Sequence, residues 1–208
     1  VPCYYNGSRA GSDIACGHGD SGPYAHRLGI ENMAETGVQG RGVLVNLVKP
    51  YGRGRTWVGY DMLMQAIEEQ KVEIREGDML LLYTGYCDAV MEMNKQPDEE
   101  KLHQTGAVLD GSDNRLLDWI DSSGISALIA DNQAVEGFSA DLQAGDNGLL
   151  PLHDRCLFKL GVHLGEYFWL KDLAEYLDNA GRHAFLLTAP PLRLPGAAGS
   201  PATPVATV

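Results

Sequence analysis

Five consecutive apolar residues, Met79-Leu80-Leu81-Leu82-Tyr83, stand between a turn pair, Gly77-Asp78, and a stop, Thr84-Gly85. A short uncharged run bounded in this way reads as a strand buried in a core. Three other segments read alike: Gly42 to Val48, β-branched and bounded by glycine and Pro50; Ile125 to Ala130, closing on Asp131-Asn132; and Ala184 to Leu187. Helical patterns lie between them. Asp61 is placed to cap a helix running to about Gln70, with Leu63, Ala66 and Ile67 on one face. Ser112 to Ser122 buries Leu116, Trp119 and Ile120 and ends at Gly124. His153 to Leu160 ends at Gly161, and Leu170 to Ala180, with Leu173 and Leu177 inward, ends at Gly181. Strands alternating with helices predict an α/β fold. No internal repeat or linker divides residues 1–208, so the expectation is one domain.

Three stretches show little periodicity. Residues 1–37, rich in Gly, Ser and Asp, read as loop and surface, a poor start for a domain. Residues 86–112 read as irregular, with an acidic patch at Asp98, Glu99 and Glu100, and the Pro, Gly and Ala rich tail from Pro190 reads as a long loop with a strand at its end.

Charge narrows the partners. A net charge of −12 argues against nucleic acid, because phosphate binding needs clustered Lys and Arg, and the pair Arg53 and Arg55 is too small to reverse that. No apolar run approaches the ~18–20 residues of a membrane span, and the first residues show no signal-like pattern. The four cysteines, Cys3, Cys16, Cys87 and Cys156, show no CxxC spacing and read as reduced, structural thiols of a cytoplasmic protein. Val1 in place of Met leaves the start as processed, trimmed or unresolved.

The residues best suited to chemistry are His153 and Glu166, 13 positions apart. Imidazole and carboxylate are ligands for Zn²⁺, Mn²⁺ and Fe²⁺. The spacing is too long for one helical face. A helix of about eight residues advances roughly 12 Å, and about five extended residues after Gly161 return on the order of 16 Å. Both side chains can then converge near the helix start. Spacing alone favours two unrelated residues, a histidine near a helix start and a solvated glutamate. Asp131, with Asn132, ends a strand where α/β proteins place a crevice, or simply serves a turn; Glu136 carries the same ambiguity. His163 reads as a surface or partly buried histidine, His103 as exposed and His183 as at a strand edge; His18 and His26 sit in the glycine-rich leader, where Cys16, His18 and Asp20 form a cluster without a matching second pair. Cys156 would need a nearby base to act as a nucleophile. No GxSxG, P-loop or GxGxxG pattern occurs.

Taken in order, several segments resemble the cyclase-like metal-dependent hydrolases, a family that includes bacterial kynurenine formamidases, isatin hydrolases and trans-dienelactone hydrolases. The matching stretches are Gly40 to Val45, Gly77 to Gly85, Leu117 to Ile120 with Gly124-Ile125, Ala130 to Glu136, Pro151-Leu152-His153, Leu164-Gly165-Glu166 and Gly199-Ser200-Pro201. They cover about residues 30–208; no single one is specific, and the ordered set is. The resemblance implies a mixed sheet or barrel-like core with flanking helices, of the swivelling β/β/α type, and His153 and Glu166 as ligands of a divalent metal, Zn or Mn. It also implies an upstream motif, His-x-Gly-Thr-His-x-Asp followed by another His, that supplies the remaining ligands and the acid/base histidine. That motif is not in this sequence, while Tyr4-Tyr5-Asn6-Gly7 looks like the segment that follows it. The catalytic residues are therefore expected upstream of Val1. Some members with this segment read Gln-Trp-Asp in place of His-x-Asp, which puts metal content in question.

The implied chemistry is hydrolysis of an amide, cyclic amide or lactone by metal-activated water, whose pKa falls toward ~7. Two other readings are a lactone hydrolase of aromatic degradation and a non-catalytic member acting as a binding or scaffold protein. The family resemblance also implies a small-molecule substrate and a homo-oligomer, dimer or tetramer.

Overall fold

The computed structural model describes residues 3–15, 24–138 and 149–208. The proposed cluster of Cys16, His18 and Asp20 lies outside these residues. Short strands β1 (Ile14–Ala15) and β2 (Tyr24–Ala25) pair antiparallel, ahead of α1 (Ile30–Thr36). Strand β3 (Gln39–Asn46) leads through α2 (Val48–Tyr51), β4 (Thr56–Val58) and α3 (Tyr60–Glu69) to β5 (Met79–Tyr83). The next crossover holds α4 (Tyr86–Glu92), α5 (Glu99–His103), β6 (Ala107–Leu109) and α6 (Asn114–Ser123), and returns to β7 (Ala127–Ala130). Helix α7 (Pro151–His153) continues as π-helical turns over Asp154–Leu160. Strand β8 (His163–Gly165), α8 (Lys171–Ala180), β9 (Ala184–Thr188) and β10 (Val205–Thr207) complete the chain.

Six of these strands form one mixed sheet in the order β10-β9-β3-β5-β7-β8, while β4 and β6 pair parallel as a separate two-stranded ladder. Strands β3, β5, β7 and β8 run parallel, and β9 and β10 are antiparallel to their neighbours. The fold is thus the expected α/β class with flanking helices, its core a mixed sheet. Side chains alternate across each strand. Val43, Val45, Leu80, Leu82, Leu128 and Ala130 therefore share one face and pack with Leu63 and Ala66 of α3, Leu116 and Ile120 of α6, and Leu152 of α7. Leu44, Met79, Leu81, Tyr83, Ala127 and Ile129 share the other and pack with Ala174 and Leu177 of α8. Burial on both faces explains why β5 carries no polar residue. Gly42 is needed where β3 meets β9: a Cβ there would come within 2.6 Å of the Phe185 ring.

Several local expectations are corrected. Residues 86–112 are largely regular, in α4, α5 and β6. Each of these elements is seven residues or fewer, below the length at which hydrophobic periodicity can be read. Residues 1–37, expected as loop, include α1 and the β1–β2 ladder. Asp61 does not cap α3; the cap position is Gly59, and Asp61 sits in the first turn, paired with Arg115 at 2.7 Å. The cap of α6 is Asp113, whose carboxylate accepts the N–H groups of Arg115, at 2.9 Å, and Leu116. No helix among the described residues is long and apolar enough to cross a membrane.

Candidate functional site

The parallel strands end together, so the residues that follow them, Thr84 after β5, Asp131 after β7 and Glu166 after β8, lie along one edge of the sheet. That is the edge where open α/β sheets place their crevice. Pro151 opens α7 at a position that needs no N–H donor, and His153 follows two residues later. The π-helical turns directly after it are a rare geometry that recurs at functional sites.

His153 and Glu166, distant in sequence, do meet. The Nε2 atom of His153 lies 3.7 Å from Oε1 of Glu166, with the side chains 22% and 34% exposed. That separation is too long for a hydrogen bond. The other ring nitrogen, Nδ1, sits 2.8 Å from Oε1 of Glu136. Glu136 is fully buried, and its carboxylate also accepts the backbone N–H groups of Leu152 at 3.0 Å and His153 at 2.9 Å. One carboxylate therefore satisfies two of the free donors at the start of α7 and the imidazole together. Glu136 is the residue that sequence reading left undecided between a crevice and a turn. Its partners, sixteen and seventeen positions downstream, leave no local spacing signal.

Asp131 and Asn132, the other two candidates, are both buried, at 0% and 1% exposure. Oδ1 of Asp131 accepts from the backbone N–H and the hydroxyl of Thr84, each at 2.7 Å, while Oδ2 has no hydrogen-bond partner among the described residues. Burial pushes this carboxyl above its usual range, against the opposing pull of the Thr84 bonds. Asn132 donates from Nδ2 to the carbonyl of Ala107 at 2.8 Å and accepts at Oδ1 from the N–H of Val135 at 3.1 Å. Its backbone carbonyl accepts the N–H of Tyr167, just past Glu166, at 3.2 Å.

The remaining sequence candidates stand apart. His163, three positions before Glu166 at the start of β8, pairs with Ala127 at the opposite end of β7 from Asp131. The buried thiols of Cys87 and Cys156 are both pushed up to about 12 by burial, so neither is a thiolate nucleophile at neutral pH. A cleft of about 510 Å³ lined by Lys49, Gln70, Asp178 and His183 shares no residue with the His153 group.

The model of the Putative cyclase family matches residues 15–137. A solved structure of a novel cyclase is 32% identical, with a TM-score of 0.80 over 99% of this chain. The chain belongs to the cyclase family. It spans 64% of that relative's length. More distant solved structures share the fold of this cyclase domain. An isatin hydrolase from Ralstonia solanacearum is 15% identical, with a TM-score of 0.59 over 86% of this chain and 63% of its own. A protein from Bacillus stearothermophilus described as a predicted metal-dependent hydrolase is 18% identical, with a TM-score of 0.53 over 80% of this chain and 62% of its own. A comparison with curated proteins finds no match.

Proposed function

We propose that this cyclase-family chain carries part of the active site of a metal-dependent hydrolase acting on an amide, cyclic amide or lactone bond. The observation that carries the reading is the paired setting of His153: one ring nitrogen is held by a buried carboxylate, and the other, with no hydrogen bond among the described residues, stands 3.7 Å from Glu166. Two ligands at ~2.0–2.2 Å from a shared ion stand at most about 4.4 Å apart, so this separation suits a His–Glu pair on one divalent ion. Metal-binding histidines generally give their second nitrogen to a carboxylate or carbonyl, as this one does. The donor set, one imidazole and one carboxylate, fits Zn²⁺ or Mn²⁺.

Among the described residues no group of three or more His, Cys, Asp or Glu is placed to hold a metal ion. His153 and Glu166 are accordingly assigned as two of its ligands, with the others coming from outside the described residues. A divalent ion bound here supplies an activated water and polarises a carbonyl oxygen. The chain's own contribution is to hold an imidazole and a carboxylate side by side at the sheet edge. Isatin hydrolase among the structural relatives favours a small cyclic or aryl amide as the substrate class.

The test is metal analysis and hydrolysis by full-length protein purified without chelator, offered an aryl formamide, a cyclic amide and a lactone. Bound divalent metal near one equivalent and turnover of one of these substrates are expected, with both lost in His153→Ala and Glu166→Ala and kept in His163→Ala. Retained metal in the first two variants, or no metal and no turnover in the parent protein, contradicts the reading.

A further inference from the structure

Between Asn132 and Glu136 the backbone is strained. Ala134 and Val135 both have positive φ, 66° and 60°, and both are buried. For a β-branched residue such as Val135 this conformation is a genuine outlier that persists only where the surroundings over-determine it. The surroundings here do so. The side chain of Asn132 ties the elbow to Ala107 and to Val135, and the backbone of Leu109 brackets it, donating to Val135 O at 3.0 Å and accepting from Gly137 N at 2.9 Å. The product of the elbow is the delivery of the Glu136 carboxylate to the start of α7. Space for that carboxylate is kept by Gly111, where a Cβ would come within 2.0 Å of Oε2.

We infer that Glu136 is the positioning residue of this site: its buried carboxylate fixes His153 as the Nδ1–H tautomer and so aims an unprotonated Nε2 at the space shared with Glu166. The inference rests on the metal-site reading for its purpose, but not for its test. A neutral imidazole has one donor and one acceptor nitrogen. A carboxylate that already accepts two backbone N–H groups can only accept from Nδ1 as well, so the proton must sit there and the lone pair on Nε2. Asn132 links the two halves, since its side chain builds the elbow and its carbonyl holds Tyr167, whose positive φ of 56° turns the chain just after Glu166.

The experiment is nitrogen NMR of the histidine rings in metal-free protein, recorded on the neutral imidazole, whose two nitrogens differ according to which carries the proton. The wild-type protein is expected to show His153 protonated at Nδ1. Glu136→Leu keeps most of the volume and removes the acceptor altogether, and is expected to release the ring from the Nδ1–H form toward Nε2–H. Zn²⁺ binding should weaken roughly 10–100-fold in this variant. A wild-type His153 protonated at Nε2, or a tautomer unmoved by Glu136→Leu in a folded variant, overturns the inference. The wild-type spectrum alone decides it should the variant fail to fold. Failure of zinc to bind a correctly tautomeric His153 would instead count against the metal reading.

Discussion

Asp131 illustrates how burial can outweigh hydrogen bonding in setting a residue's behaviour. Its carboxyl is fully buried, one oxygen is satisfied by Thr84 and the other has no partner among the described residues, and burial raises its pKa above the ordinary 3.8. The folded protein thus keeps this proton to a higher pH than the unfolded chain does. The contribution to stability is greatest below pH 3.8 and falls as pH rises from there through the folded value. Asp131→Asn keeps an accepting oxygen for Thr84 and avoids that loss. Chemical denaturation at a series of pH values should show the stability difference moving in favour of the variant as pH climbs through this window. A difference independent of pH would mean that the carboxyl ionises alike in both states. His153 and Glu166 were legible only through the ordered resemblance of their flanking segments. Their spacing of 13 positions could not by itself distinguish partners from strangers. Glu136 was less legible still, because its importance depends on a strained elbow that no propensity favours.

The same contrast holds among the elements. Strand β5 was readable because burial on both faces leaves a continuous apolar run, and α6 because Leu116, Trp119 and Ile120 recur at helical spacing. The short β6 owes its form to a tertiary contact instead: it pairs with β4 fifty-one positions earlier in register, Ala107 opposite Thr56. Asp113 shows how an end signal can be shared between elements. Its carboxylate caps α6 and also accepts the N–H of Tyr60 at the start of α3, at 2.7 Å. The Tyr60 bond leads the causes that hold this carboxyl below its usual range. Asp113→Ala is expected to lower stability by about 1–2 kcal/mol, the cost of a lost cap. The stabilisation is present above pH 3.8 and is lost as pH falls through the folded value, so the two proteins converge in acid. Equal denaturation midpoints at neutral pH would show that the cap contributes nothing.

At the scale of the whole molecule, the parallel strands explain how distant residues come to share a site. Because β5, β7 and β8 finish at one edge, Thr84, Asp131 and Glu166 lie there without any local sequence relation, and α7 brings His153 to meet Glu166. Family membership accounts for this architecture, while the His153–Glu136–Glu166 arrangement supplies the argument for chemistry. Self-association as a dimer or tetramer is also proposed, and light scattering on the purified protein checks it. A single mass matching one 22.5 kDa chain would contradict it. The most direct test of the site is a zinc titration followed on the ring nitrogens of histidine-labelled protein. The Nε2 signal of His153 should move as zinc is added, and Glu166→Ala should weaken that response by an order of magnitude or more. A response centred on a different histidine, or an unchanged affinity at His153 without Glu166, would contradict the assignment of these two residues to one metal ion.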